Sequence, residues 1–218
     1  MSDAVDRIVA ARVVPVVVLD DAAAADPLAE ALAAGGLAIA EITFRTPAAH
    51  NVLRRFARHE SMLVGAGTVV RADQVDQAVD AGARFIVSPG VSGAVINRCA
   101  ELAVPVFPGV ATATELMAAL DCGVQVVKFF PATVLGGLAG IAALAGPFPG
   151  VRFVPTGGIG AGDLATYLAH PAVLAVGGSW MVANSLIAAD RFDEVTRLTA
   201  AAVEVARQSQ VPSDRRGG

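Results

Sequence analysis

Short apolar runs recur along the whole chain, and their spacing limits the fold more than any other feature. They are Val13 to Leu19, Leu37 to Ile42, Met62 to Val64, Arg84 to Val87, Val104 to Phe107, Gln125 to Phe129, Arg152 to Val154 and Val173 to Val176. Successive runs begin about 20 to 27 residues apart, the interval of a strand followed by a helix. Alanine-rich helical patterns fill the gaps: Pro27 to Ala34, Pro47 to His59, Ala72 to Ala81, Gly93 to Leu102, Ala113 to Asp121, Gly136 to Ala145, Ala161 to Ala169 and Phe192 to Arg207. Asp26-Pro27 and Thr46-Pro47 each place a capping residue before a proline at the first helical position. Gly35-Gly36, Gly82 and Gly123 close helices ahead of the next strand. Eight strand–helix units predict an α/β chain folded as a single (β/α)8 barrel of the TIM type over residues 1–207. Asp3 to Ala11 reads as an extra N-terminal helix across its bottom, and residues 208–218 as a polar, frayed tail.

Composition narrows the functional classes. Hydrophobic residues make up 55% of the 218 and charged residues 17%, an apolar balance that raises the question of membrane spans. The two uncharged runs, Phe129 to Val151 and Leu164 to Ala189, are broken by Pro131, Gly136-Gly137, Pro147, Pro149, His170-Pro171 and Gly177-Gly178, so neither reads as a span. Asp3 and Asp6 stand where a secretory signal carries basic residues. Cys99 and Cys122 are too few for a disulfide framework and lack metal-ligand spacing; as residues of apolar helices they read as inert buried thiols. A cytoplasmic protein that binds no membrane is the simplest reading. The formal charge of −4 argues against nucleic-acid binding and leaves open a small phosphorylated ligand held by local geometry.

Within this pattern Val124 to Pro131 stands out, because a lysine sits in an otherwise apolar, β-branched and aromatic strand. Burying an ammonium costs several kcal/mol unless it is paired or loses its proton. Lys128 is therefore either a nucleophile for a carbonyl substrate or a side chain that snorkels to solvent at the strand end.

Barrel chemistry sits at the carboxyl ends of the strands, so the residues there are the candidates. Strand two ends in Glu41-Ile42-Thr43-Phe44-Arg45-Thr46, with Glu41, Thr43 and Arg45 on one face if the strand stays extended. Glu41 and Arg45 read either as a structural ion pair or as a proton shuttle beside a carboxylate anchor. Strand three ends in Gly65-Ala66-Gly67-Thr68, strand four in Ser88-Pro89-Gly90, and strand five in Pro108-Gly109-Val110. Strand six brings Lys128 and Phe130. Strands seven and eight end in Thr156-Gly157-Gly158 and Gly177-Gly178-Ser179. Paired glycines after these two strands suit backbone N–H groups that hold a phosphate, although a tight turn alone also explains each pair. His50, His59 and His170 fall on helices or at a helix end and read as surface or packing residues, and Trp180 and Tyr167 as core or interface.

Taken in order, Glu41-Ile-Thr-Phe-Arg45-Thr, Gly65-Ala-Gly-Thr68-Val, Ser88-Pro-Gly, Phe107-Pro-Gly-Val, Lys128-Phe-Phe-Pro-Ala, Pro155-Thr-Gly-Gly-Ile and Gly177-Gly-Ser-Trp resemble the motifs of one family. The chain resembles the 2-keto-3-deoxy-6-phosphogluconate (KDPG) and 4-hydroxy-2-oxoglutarate (KHG) aldolases over about residues 5 to 207. The resemblance implies a (β/α)8 class I aldolase with no metal and no cofactor, commonly a homotrimer. It places the Schiff-base lysine at Lys128 and the general acid/base at Glu41. It places the pyruvate carboxylate at Arg45 and Thr68, and the phosphate at Thr156, Gly157, Gly158, Gly178 and Ser179. Pro89 and Phe130 complete the substrate-lining set. Some relatives carry an arginine where this chain has Leu19-Asp20, which leaves open what strand one adds to the site. Phe44-Arg45-Thr46 resembles the gluconate branch more than the galactonate one.

The chemistry implied is cleavage of the C3–C4 bond of a phosphorylated 2-keto acid to pyruvate and glyceraldehyde 3-phosphate, or of 4-hydroxy-2-oxoglutarate to pyruvate and glyoxylate. A protonated lysine imine is the electron sink for the carbanion left beside the carbonyl. Two other readings remain: a phosphate-binding barrel isomerase or synthase that forms no imine, and a non-catalytic barrel that binds a phosphorylated acid.

Overall fold

Runs of valine and isoleucine with both faces apolar gain most by pairing in parallel and covering both sides of the sheet with helices. A computed structural model, describing residues 3–209, shows this arrangement. Helix α1 (Asp3–Ala11) precedes β1 (Val13–Val17). There follow α2 (Ala25–Ala34), β2 (Ile39–Thr43), α3 (Ala49–Phe56), β3 (Leu63–Gly67), α4 (Ala72–Asp80), β4 (Ile86–Val87), α5 (Gly93–Glu101), β5 (Val106–Phe107) and β6 (Gly109–Val110). The chain continues through α6 (Ala113–Asp121), β7 (Val126–Phe129), α7 (Gly137–Ala145), β8 (Arg152–Pro155), α8 (Leu164–Leu168), β9 (Val176–Gly178), α9 (Asn184–Ile187) and α10 (Phe192–Gln208).

All the strands run parallel, in a curled six-stranded sheet ordered β5-β4-β3-β2-β1-β9 and a three-stranded sheet ordered β6-β7-β8. The fifth apolar run ends at Pro108, which separates β5 from β6; it has no N–H for a ladder, but its carbonyl accepts the Lys128 N–H at 2.9 Å. Isolated bridges Phe153↔Val173 and Thr156↔Gly177 connect β8 to the eighth run.

The apolar side chains form two cores. The inner one gathers Val14, Ile39, Leu63, Phe85, Val87, Phe107 and Val154 from the inward faces of the strands, and α1 closes its lower end with Ala4 and Ile8. The outer one fills the layer between strands and helices. Arg7 holds α1 in place by donating from Nη2 to the carbonyls of Ala38 (3.0 Å) and Ser61 (2.6 Å). The expected N-terminal helix is therefore present and covers the amino ends of the strands.

Several local expectations change. Asp26 does not cap α2; Asp21 accepts the N–H of Ala23 at 2.8 Å, a 3-10 turn spans Ala22–Ala24, and α2 begins at Ala25. Asp26 is used instead between helices, bonded to Arg55 at 2.9 Å and His59 at 3.3 Å. Thr46 likewise does not cap α3; its hydroxyl donates to Leu19 O at 2.6 Å, and α3 is confined to Ala49–Phe56. The glycine stops hold, with Gly36, Gly82 and Gly123 all at positive φ, where a side chain is strained. Cys99 is buried as expected, but Cys122, at the solvent side of the α6 C-terminus, is exposed. Helix α10 runs one residue past the expected tail boundary, and residues 210–218 lie outside the described residues. Among the described residues no helix is long and apolar enough to cross a membrane.

Candidate active site

β2 and β7 are not neighbours in either sheet, so side chains that point inward from them meet across the interior. Lys128 Nζ donates to Glu41 Oε1 at 3.3 Å, with Lys128 6% and Glu41 3% exposed. The lysine does not snorkel to solvent. Its ammonium lies 5.0 Å from the centre of the Phe130 ring, within cation–π range. Glu41 pairs with Lys128 and not with Arg45, so of the two readings of these strand-two residues the structural ion pair is absent among the described residues.

Arg45 is fixed by a residue that sequence reasoning placed on the right face but gave no role. Thr43 is buried; its hydroxyl donates to Val17 O of β1 at 2.9 Å and accepts from Arg45 Nε at 3.4 Å. With the single hydroxyl proton committed to β1, the oxygen lone pairs face the arginine. The terminal nitrogens of Arg45 meet no carboxylate among the described residues and remain free for an anion. Thr68, after β3, holds φ 59°, a left-handed conformation unusual for a β-branched residue.

The loops after β8 and β9 supply the other end. Gly157 and Gly158 take φ 101° and 80°. Thr156 is buried against Gly177, where a Cβ would collide with its hydroxyl. Arg45, Thr68, Pro89, Lys128, Phe130, Thr156, Gly157, Gly158, Gly178 and Ser179 all line one cavity of about 290 Å³. Val16, Ile159 and Gly177 complete the wall; Ile159 and Gly177 lie within the motifs quoted from the sequence, whereas Val16 carried no signal beyond its apolar character. Strand one therefore contributes Val16, while Asp20 lies elsewhere. Glu41 is not in this wall; it sits beneath the floor, in the inner core under Lys128 and Thr156. A larger cavity of about 420 Å³, beside the end of β1 and the start of α10, has Asp20, Asp21 and Asp190 as its only ionisable groups. It offers no amine and no cation, so among the two only the smaller cavity has a lysine and an arginine in its wall.

A buried lysine–glutamate pair at the floor of a cavity with a free guanidinium can form an imine and move a proton. Residues 5–198 match the family described as KDPG and KHG aldolase. The chain belongs to this family. It is 48% identical over 204 residues to the 2-dehydro-3-deoxy-phosphogluconate aldolase of Treponema pallidum, covering 93% of this chain and 96% of that one. It is 42% identical to the KHG/KDPG aldolase of Escherichia coli K12, over 89% of this chain and 92% of that one. The crystal structure of KDPG aldolase from Legionella pneumophila superposes with a TM-score of 0.89 at 40% identity, covering 92% of this chain and 98% of that one. That structure holds pyruvate as a covalent carbinolamine, captured at low pH.

As a KDPG/KHG aldolase the chain is a carbon–carbon lyase. In this aldolase the residues of the cavity wall lie on or just after strands of both sheets, and the parallel arrangement puts those strand ends on one side.

Proposed function

We propose that this aldolase reversibly cleaves 2-keto-3-deoxy-6-phosphogluconate to pyruvate and glyceraldehyde 3-phosphate through an imine on Lys128, and acts on 4-hydroxy-2-oxoglutarate by the same steps. The observation that carries the proposal is the buried 3.3 Å hydrogen bond between Lys128 Nζ and Glu41 Oε1 at the floor of the cavity.

The pair can pass a proton along that bond, from ammonium to carboxylate, and so present a neutral amine. The amine attacks C2 of the keto acid, forming a carbinolamine. Glu41 returns its proton to the C2 hydroxyl, which leaves as water and gives the iminium, with Glu41 again a carboxylate. Glu41 then receives the C4 hydroxyl proton through one water, since its carboxylate lies beneath the floor. The C3–C4 electron pair flows into the iminium, the aldehyde leaves and an enamine remains. Glu41 passes the proton it took from the C4 hydroxyl to C3 of the enamine, and hydrolysis of the resulting iminium releases pyruvate and the free lysine. Arg45 and Thr68 hold the pyruvyl carboxylate, the guanidinium bidentately. Thr156, Gly157, Gly158, Gly178 and Ser179 hold the phosphate, and binding energy spent there orients the reacting bond. Phe130 and Pro89 confine the substrate between the two ends, and the Phe130 face favours the iminium charge.

The two sheets are read here as one closed (β/α)8 barrel over residues 1–207. The adjacency of β5 and β6 across Pro108 and the bridges from β8 to the eighth run support that reading. A homotrimer would cover apolar surface on and beside the uncharged or weakly charged helices α6 and α7, where Met117 is 56% and Val134 80% exposed.

Intact-mass spectrometry after incubation with pyruvate and borohydride, followed by peptide mapping, tests the mechanism. The expected result is one pyruvate-derived adduct, on Lys128. A folded protein that binds pyruvate without any adduct removes it.

A further inference from the structure

The geometry points to Thr133, in the turn before α7, as a positioning residue that sets the preference of the site for a phosphorylated substrate. The inference rests on the proposed function and adds a residue to it. Ala132 N donates to Thr156 O at 2.8 Å. Thr133 N donates to Gly157 O at 3.2 Å, and the Thr133 hydroxyl donates to the same oxygen at 3.2 Å. Two successive carbonyls of the glycine loop are thus drawn to one side.

A trans peptide is planar, with its N–H opposed to its C=O. Pulling Thr156 O and Gly157 O toward residues 132 and 133 therefore turns the N–H groups of Gly157 and Gly158 the other way. Neither N–H finds a backbone acceptor among the described residues, and both glycines line the cavity. Converging, unpaired backbone N–H groups in such a turn bind anions. The threonine hydroxyl also explains the second glycine sterically. A Cβ on Gly158 would collide with Thr133 Oγ1, and its φ of 80° already disfavours a side chain.

Thr133 does not itself line the cavity, so its effect is on the aim of the donors. The valine variant Thr133→Val keeps the shape and the backbone N–H and removes the hydroxyl. The readout is the ratio of kcat/KM for 2-keto-3-deoxy-6-phosphogluconate to that for 4-hydroxy-2-oxoglutarate, which lacks the phosphate. We expect the ratio to fall about fivefold, the size of one ordinary hydrogen bond, through KM for the phosphorylated substrate. Thr133→Ser should restore it to within about twofold. Binding of inorganic phosphate, titrated by phosphorus NMR, should weaken in parallel. A general folding defect lowers both substrates together and leaves the ratio alone; that result, or an unchanged ratio with unchanged phosphate affinity, overturns the inference. If the protein forms no pyruvate adduct but loses phosphate affinity in Thr133→Val, the aldolase mechanism fails and the role of Thr133 stands.

Discussion

A Cβ on Gly67 would lie 2.7 Å from both Cγ and Cδ of Glu41, so the glycine on β3 is what gives the glutamate on β2 its place. The carboxylate fills the space that any other residue at 67 would occupy, and from there it reaches Lys128. The same device operates one pleat lower, where the ring of Phe85 occupies the Cβ position of Gly65. Small residues on one strand thus admit large inward side chains from the next.

Gly67→Ala should displace the Glu41 carboxylate from Lys128. We expect kcat for cleavage to fall about a hundredfold, the lower end of what general acid–base catalysis supplies. The overpacking should cost about 1 to 3 kcal/mol in urea unfolding. Retention of full kcat in steady-state assays would show that Glu41 is not held by this contact.

Lys128→Ala should abolish cleavage and the borohydride-trapped adduct. It also leaves the Glu41 carboxylate buried without its partner, which should destabilise the fold by about 3 to 5 kcal/mol. The double variant Lys128→Met/Glu41→Gln should recover most of that loss while staying inactive. Urea denaturation of the two variants side by side measures the difference, and equal stabilities would contradict the buried pair.

Thr43→Val removes the hydroxyl that fixes Arg45 Nε. KM for the keto acid should rise about fivefold with kcat changed less, and Thr43→Ser should behave as the parent. Steady-state kinetics with both variants decides it; an unchanged KM would mean that Arg45 is held by other means.

Thr68 keeps a left-handed backbone at φ 59°, a conformation that costs a β-branched residue about 1 to 2 kcal/mol. Thr68→Gly should therefore lower activity without lowering the thermal midpoint, because relief of strain offsets the greater freedom of the unfolded glycine. A clear loss of stability would show that the threonine side chain contributes packing beyond its strain.

Burial pushes the Cys99 thiol up to about 12. An unfolded cysteine titrates near about 8.5, so the unfolded chain releases its proton first as the pH rises. The stability this thiol contributes is complete below about pH 8.5 and is lost progressively toward pH 12. The gap in urea midpoint between the parent and Cys99→Ala should narrow steadily over that range, and a constant gap would be inconsistent with it. In the native protein at neutral pH, a thiol reagent should label Cys122 and leave Cys99 untouched.

Much of the site was legible because the strand ends are contiguous in sequence. Lys128-Phe-Phe-Pro and Thr156-Gly-Gly carry their chemistry locally, and strand alternation already put Glu41, Thr43 and Arg45 on one face. The partner of Glu41 was not legible. Arg45 is four residues away and Lys128 eighty-seven, yet the carboxylate bonds to Lys128, because β2 of the six-stranded sheet and β7 of the three-stranded sheet face each other across the interior. The helix caps failed for a related reason. Asp26 and Thr46 have the right chemistry for capping, but Arg55, His59 and Leu19 O compete for them from neighbouring elements.

By itself, then, the amino-acid order determined the alternation of strands and helices, the placement of the candidate residues at strand ends and the family. Hydrophobic period, turn glycines and short motifs act within a few residues, and each is written where it acts. Tertiary structure alone decided that Lys128 pairs with Glu41, that both are buried, and that the hydroxyls of Thr43 and Thr133 bond to the carbonyls of Val17 and Gly157. Those properties depend on distances between strands far apart in the chain, and packing of the inner core sets such distances.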